Sequence, residues 1–505
     1  MLGSKETVRP QRFALEAIDL DETAGEPLYR QLEAGIREAI QAGRLRPGER
    51  LPSTRQLARD LGVARNTVVN AYGQLIIEGY LAPTAGSGTR VATPVPDGLL
   101  QAADAGRAVG KVVKPPTLSA AADRVFSINA VIADEVDRPL RPFRAHTPAS
   151  DAFPRRLWAQ LVARRLRTLS RSWMDRADPR GYRPLREAIA GYLGSSRGVT
   201  CDADQVMVTA GAQQAINLIA QLLIDPGDTV CIEDPGYVPA ATVFELAGAR
   251  IVPIPVDDEG IDVDALKVRA PRAKLVFVTP ASQFPLCKTM SLARRLALLD
   301  WADRAGATIL EDDCSGEYRY AGRPLQALHG LAPDGRVLYV GTFSKLLFPT
   351  LRLGYVVVPD SMVDHVATAR WLVDQHSPPL EQAVVADFID EGHFARHVRR
   401  MRALYAERQA ALVAAAADEF GAFLHVPALD TGLHLVGWPS SGASERGLVA
   451  AAASAGLEQM PLSWFGLEQP KKTGLILGYA PFAESELRRA ATRFREAVER
   501  QPLDR

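Results

Sequence analysis

Gly341-Thr342-Phe343-Ser344-Lys345-Leu346-Leu347-Phe348-Pro349-Thr350-Leu351-Arg352-Leu353-Gly354-Tyr355 is the stretch from which the rest of the chain can be read. It follows the apolar run Val337, Leu338, Tyr339, Val340, which is bounded by glycines and predicts a buried strand. At the end of that strand stand Thr342, Ser344 and Lys345, with Arg352 seven residues further on. A lysine condenses with an aldehyde only when it is held neutral and close. Hydroxyls and an arginine fork are the neighbours that a phosphate monoester needs. An aldehyde and a phosphate on one small molecule describe pyridoxal 5'-phosphate (PLP).

Working outward, apolar strands alternate with helical patterns from 139 to 500, which predicts an α/β unit with a mainly parallel sheet. Four more strands run into polar residues. One leads into Gly211, Ala212 and Gln213, which open a helix whose free N–H groups and dipole suit a phosphate. The next ends in Pro235-Gly236-Tyr237, where Tyr237 can stack on a pyridine ring. A third ends in Thr279-Pro280-Ala281-Ser282-Gln283, and the fourth in Asp312-Asp313-Cys314, where Asp312 can pair with a ring nitrogen. Open parallel sheets bind ligands outside such carboxyl ends. Each feature alone also has a bland reading as an ordinary turn, cap or helix start. Their number and order carry the argument.

That order resembles the fold-type I, class I/II aminotransferases over some 360 residues. The resemblance implies a PLP aldimine on Lys345, a phosphate held by Thr342, Ser344 and Arg352, and a small C-terminal α/β subdomain.

The N-terminal part has a different pattern. Leu28, Leu32, Ile36 and Ile40 recur at helical spacing and Gly43 follows as a stop. Ser53 offers an N-cap to a short helix that Gly62 breaks, and a second helix is predicted from Ala64 to about Glu78. Tyr80-Leu81 and Thr89-Arg90-Val91 flank a turn-rich tip and read as a wing. Between 28 and 92 there are nine arginines and five acids, 9 − 5 = +4, although the whole chain has a formal net charge of zero. A local excess of this kind attracts nucleic-acid phosphates. The stretch closely resembles the winged helix of GntR-family regulators, which implies DNA contacts from Ser53, Arg55, Arg65, Asn66 and Thr67 and from Ser87 and Gly88 at the wing tip.

With 505 residues, 47% hydrophobic and 23% charged, the chain has an ordinary globular composition. Residues 1–26 read as an N-terminal arm, 27–92 as the DNA-binding domain, 93–138 as a linker rich in Ala, Pro and Gly, and 139–500 as the PLP-binding domain. The four cysteines are widely spaced, the N-terminus has no apolar core of a signal sequence, and no apolar run reaches membrane-spanning length. A cytoplasmic protein is expected. Winged helix, linker and this large unit together resemble the MocR/GabR group of GntR-type regulators, which implies a head-to-tail homodimer with PLP near its interface.

The sequence departs from that group at several places. Cys314 stands where a tyrosine usually bonds the cofactor's O3', and a thiol is a weak donor. Ser282 and Cys287 replace the ends of a His-Gln-x-Pro-x-Gly segment, Arg176-Ala177 replaces Tyr-Gly, and Pro239 replaces an arginine of GABA-sensing members. Cofactor binding is therefore expected to survive while full transamination is lost. His393 and His397 lie at i, i+4 but among arginines, so no metal is expected; His434 is read evenly as cavity-facing or core. The expected function is a PLP-responsive regulator that binds an operator and senses PLP or an amine, the alternative being an active aminotransferase with a fused DNA-binding domain.

Overall fold

The computed structural model describes all residues except 1–17, 19, 22–23, 85–87, 94, 96–116, 120, 123–138, 169–172, 174, 323–325, 333–334, 470 and 501–505. It divides into two compact units, Met1–Pro116 and Thr117–Arg505.

In the first unit, α1 (Leu28–Gln41) buries Leu32, Ile36, Ala39 and Ile40, the stripe that its spacing dictates. Ser53 Oγ accepts the N–H of Gln56 at 3.2 Å and starts α2 (Thr54–Asp60). Gly62, at φ 69°, makes the turn into α3 (Arg65–Ile77), which buries Val68, Ala71, Tyr72 and Leu75. The Tyr72 hydroxyl donates to the carbonyl of Pro52 at 3.1 Å and fixes α3 against the start of α2. Strands β1 (Leu81–Thr84) and β2 (Gly88–Val91) pair antiparallel as the wing.

The second unit is built on an eight-stranded sheet in the order β3-β10-β9-β8-β7-β4-β5-β6. The strands are β3 (Val206–Thr209), β4 (Thr229–Asp234), β5 (Arg250–Asp257), β6 (Gly260–Ile261), β7 (Leu275–Val278), β8 (Thr308–Asp313), β9 (Val337–Thr342) and β10 (Gly354–Val357). Strands β5, β4, β7, β8 and β9 are parallel, and the apolar runs of β7 and β9 are buried on both faces. Strand β10 is antiparallel to both β9 and β3. The connection 343–353 between β9 and β10 is too short for a crossover, so the chain must turn straight back. That return carries Lys345 and Arg352 across the same end of the sheet.

A second sheet of β11 (Leu424–His425), β12 (His434–Pro439), β13 (Met460–Pro461) and β14 (Leu475–Gly478) is wholly antiparallel, in the order β11-β12-β14-β13. It packs with the helices His393–Glu419 and Glu484–Arg500, whose Phe420 and Phe494 share one core. The expected α/β subdomain thus has an antiparallel sheet. Among the described residues no helix is long and apolar enough to cross a membrane.

The segment 178–186 forms a clasp. Buried Arg186 donates to the carbonyls of Gly181 at 3.2 Å and Ala203 at 2.9 Å and pairs with Asp178 at 3.3 Å. Gly181, at φ 101°, leaves no room for a Cβ against Val208 of β3.

Two glycine substitutions separate packing from propensity. Gly354→Ala is expected to lower the urea midpoint by an amount equivalent to about 1–3 kcal/mol, because its Cβ meets backbone on two sides. Gly73→Ala, inside α3 with nothing within 4 Å, is expected to stabilise the first unit by about 0.5–1 kcal/mol.

Candidate cofactor site and nucleic-acid interface

The turn after β9 places its side chains through local bonds. Thr342 Oγ1 accepts the N–H of Ser344 at 3.2 Å and donates to the carbonyl of Leu353 at 3.4 Å, which ties the two ends of the turn together. Lys345 Nζ donates to the carbonyl of His146 at 2.7 Å. The backbone of the turn is held by the Tyr318 hydroxyl, which donates to the carbonyls of Lys345 at 3.3 Å and Leu346 at 3.4 Å, and by His397 Nε2, 3.0 Å from the carbonyl of Leu346. Nothing in the sequence singled out Tyr318 or His146, which stand in no recognisable motif.

Arg352 adopts the left-handed region at φ 48° and donates to the carbonyl of Ala210 at 2.8 Å. Its guanidinium therefore lies against Gly211, the N-cap of the helix Ala212–Leu223, where a Cβ would come within 3.1 Å of Nη2. Gly211 itself is at φ 97°, which favours glycine. Helix N–H groups, the Arg352 fork, Thr342 and a buried, unpartnered Ser344 Oγ converge as a cradle for a doubly charged anion.

Asp312, at the end of β8, is buried, and its Oδ1 has no hydrogen-bond partner. Burial, then the charges of Asp313 and Glu233, push its pKa up to about 7, while Lys345 pulls the other way. A protonated ring nitrogen is the partner that such a carboxylate lacks. Glu233, at the end of β4, was not singled out from the sequence. It accepts from Thr279 Oγ1 at 2.5 Å and from Gln283 Nε2 at 3.3 Å, and burial raises it to about 7. The Tyr237 hydroxyl donates to Gln213 Oε1 at 3.0 Å, and its ring stacks 6.5 Å from Phe277. Cys314 is half-buried, and its thiol is pushed up to about 12 by burial and by Asp312, so it stays neutral.

The sequence-expected set Gly211, Ala212, Gln213, Tyr237, Asp312, Cys314, Thr342, Ser344, Lys345 and Arg352 thus gathers at the strand ends of one sheet. The residues present fit PLP. His434 is buried with Nε2 2.8 Å from the carbonyl of Pro285 and 3.3 Å from Cys287 Sγ, and burial, helped by Lys345, depresses its pKa to about 4. His393 pairs with Glu391 at 3.1 Å, while His397 packs on the lysine turn; among the described residues no group of side chains could hold a metal ion.

On the first unit, Ser53, Arg55, Arg65, Asn66 and Gly88 are exposed and Thr67 is half-buried; Ser87 lies outside the described residues. Acids are drawn elsewhere. Arg37 binds Glu33 at 2.5 Å and Glu78 at 2.6 Å, and Arg44 binds Glu38 at 2.9 Å. Glu78 lies beyond the far end of α3, about 20 Å from Arg65 at 1.5 Å per residue. The N-terminal end of α3 therefore presents the exposed Arg65 away from these three ion pairs.

Comparison with known proteins finds a family match in each of the two units. Residues 154–441 match the aminotransferase class I and II family, and residues 28–91 match the bacterial regulatory proteins of the gntR family. The chain is 40% identical to the probable rhizopine catabolism regulatory protein MocR of Rhizobium meliloti, over 95% of each chain. It is 30% identical to the pyridoxine biosynthesis transcriptional regulator PdxR of Corynebacterium glutamicum, over 93% of this chain and 95% of that one. Its fold is similar to LysN, an α-aminoadipate aminotransferase of Thermus thermophilus solved with N-(5'-phosphopyridoxyl)-L-leucine, with a TM-score of 0.69 and 27% identity over 76% of this chain and 97% of that one.

The raised pKa of Asp312 has a testable sign. Because its folded value near 7 exceeds the ordinary 3.8, the fold prefers the proton, and stability falls as pH rises between those values. In protein free of small ligands, Asp312→Asn is expected to raise Tm at pH 8, with the gain vanishing below about pH 4. Scanning fluorimetry across pH reads this, and an equal gain at both ends would refute the charge argument.

Proposed function

The chain belongs to the MocR/GabR group of GntR-type regulators, a gntR-family module joined to an aminotransferase class I and II domain, and we propose that it is a PLP-responsive, sequence-specific transcription regulator. The observation that carries this is the pairing, in one chain, of an exposed basic recognition helix with a site made of half-buried Lys345 and buried Asp312.

When bound, PLP supplies an aldehyde that condenses with amines and a ring that accepts electrons. The chain supplies the rest. Lys345 is the amine held beside that aldehyde. Arg352, Thr342, Ser344 and the N–H groups of Gly211, Ala212 and Gln213 hold the phosphate. Tyr237 would cover the ring face, and Asp312 would pair with a protonated ring nitrogen. Cys314 leaves the phenolic oxygen with a weak donor. Arg352 is exposed on a cavity of about 490 Å³ beside Trp158, Thr350 and Asp374; a second copy arranged head-to-tail closes that side.

On DNA, Arg55 and Arg65 contact the operator, with Asn66 and Thr67 beside them and Ser87 and Gly88 entering the minor groove. Ser53 Oγ accepts from the helix it caps, and its own proton remains for a phosphate. The protein acts in the cytoplasm, where PLP or an amine effector shifts it between DNA-binding states that bind the effector unequally. The regulatory reading precedes the aminotransferase reading, because the relatives that match it end to end are regulators by name.

Two measurements test the proposal. Added PLP is expected to give a visible absorption band that borohydride abolishes and that Lys345→Ala never forms. Arg65→Ala is expected to weaken operator binding about tenfold or more in fluorescence anisotropy, whereas a plain aminotransferase with no operator would show no specific binding to lose.

A further inference from the structure

We propose that the wall formed beside Lys345 by His146, His434 and Cys287 is the subsite that selects the effector, and that it takes a primary amine bearing uncharged hydroxyls rather than an amino acid. This rests on the reading of Lys345 as the cofactor lysine.

Three segments distant in sequence meet here. His146, in the left-handed region at φ 61°, holds Lys345 Nζ through its carbonyl at 2.7 Å. Its ring centre lies 4.8 Å from that of His434 and 4.8 Å from that of Phe284, and its Nε2 is buried with no hydrogen-bond partner. His434 Nε2 faces the carbonyl of Pro285 at 2.8 Å, which can only accept, so this nitrogen carries the ring proton. Cys287 Sγ lies 3.3 Å from the same nitrogen, and Thr431 Oγ1, 2.9 Å from Ser282 Oγ, closes the cluster.

Every group on this wall is uncharged. Burial and the nearby Lys345 both oppose protonation of His146 and His434, and burial keeps the Cys287 thiol neutral. Arg319, bridged to Thr431 through its backbone, directs Nη1 to Thr289 Oγ1 at 2.9 Å. With Lys345 engaged by the cofactor, a carboxylate on this wall would lose its hydration and gain no ion pair from His146, His434 or Cys287. A hydroxyl both donates and accepts, so it satisfies His146 Nε2 in either tautomer. A site built to bond a hydroxyl also rejects the analogue that lacks one, because its own buried polar atom is then left unpaired.

The test titrates the full-length, PLP-loaded protein with 2-amino-1,3-propanediol, isopropylamine and L-serine, and follows the cofactor absorption band. The diol amine is expected to half-saturate at a concentration about tenfold or more below either of the others. His146→Phe keeps a ring and removes its nitrogens, and is expected to reduce that advantage over isopropylamine to about twofold or less. His434→Asn provides a second variant with the same expectation should the first fail to fold. L-serine acting at the lowest concentration, or variants that weaken diol amine and isopropylamine equally, would overturn the subsite while leaving the PLP reading intact. Absence of any Lys345-dependent band would overturn both.

Discussion

Gly354 passes so near its neighbours that a Cβ there would sit 2.8 Å from the Cα of Gly211 and 2.9 Å from the carbonyl oxygen of Gly341. This contact brings the ends of β3, β9 and β10 to one place. Gly211 opens a helix, Gly341 precedes the lysine turn, and Gly354 follows Arg352. The phosphate cradle and the lysine are therefore not assembled by side chains reaching across a cleft. They are consequences of three backbones lying in close contact, which a residue without a Cβ at Gly354 permits. Arg352 pays with a left-handed φ of 48° and keeps its guanidinium at the helix N-terminus.

The strand beside this junction shows how a fold assigns different tasks to like residues. Glu311, Asp312 and Asp313 are consecutive and buried at the end of β8. Alternation sends Glu311 and Asp313 to one face and Asp312 to the other. Glu311 accepts the N–H groups of Leu328 at 3.0 Å and His329 at 2.9 Å, so it caps a short helix. Asp313 pairs with buried Arg197 and accepts the Tyr339 hydroxyl at 2.8 Å. Asp312 alone of the three keeps a buried oxygen without a partner. An isolated carboxylate at such a depth is unfavourable, and the raised pKa expresses that cost. A cation at that oxygen removes it, which makes ligand binding and local stability the same quantity.

Much of this was legible in the sequence because it depends on short-range chemistry. Strand ends, Gly-Ala-Gln at a helix start, Pro-Gly-Tyr and Ser-Lys followed by Arg each need only local backbone rules, and the winged helix follows from apolar spacing and glycine breaks. Less legible was whatever depends on distant packing. The sequence left His434 divided between cavity and core. The structure answers that it is both buried and beside Lys345, because β12 lies in a different sheet from the lysine strand. His397, one of a helical His pair, turned out to face the carbonyl of Leu346. Its pKa falls to about 4 through burial, so it serves as a neutral bond to the turn. His146 and Tyr318 carried no signal at all, since neither spacing nor composition distinguishes them from ordinary loop and core residues. Glu233 carries no signal of its own within its strand, and its place near Asp312 follows only from the parallel order of β4, β7 and β8.

Regulation through such a site requires little energy. Coupling between an effector and DNA is typically about 1–3 kcal/mol, a factor of roughly 5–150 in affinity. A single hydrogen bond to a charged group contributes about 1.5–3 kcal/mol, so gain or loss of one such contact is already of the required size. The Lys345–His146 bond belongs to this class, and it joins the lysine to a segment in the early part of the second unit. The turn that carries Lys345 is tethered through Tyr318 and His397, so a change of partner at the amine would leave the backbone in place. A protein of this design does not need the catalytic efficiency of a transaminase. It needs an amine whose arrival changes what Nζ donates to, and a wall that admits some amines and not others.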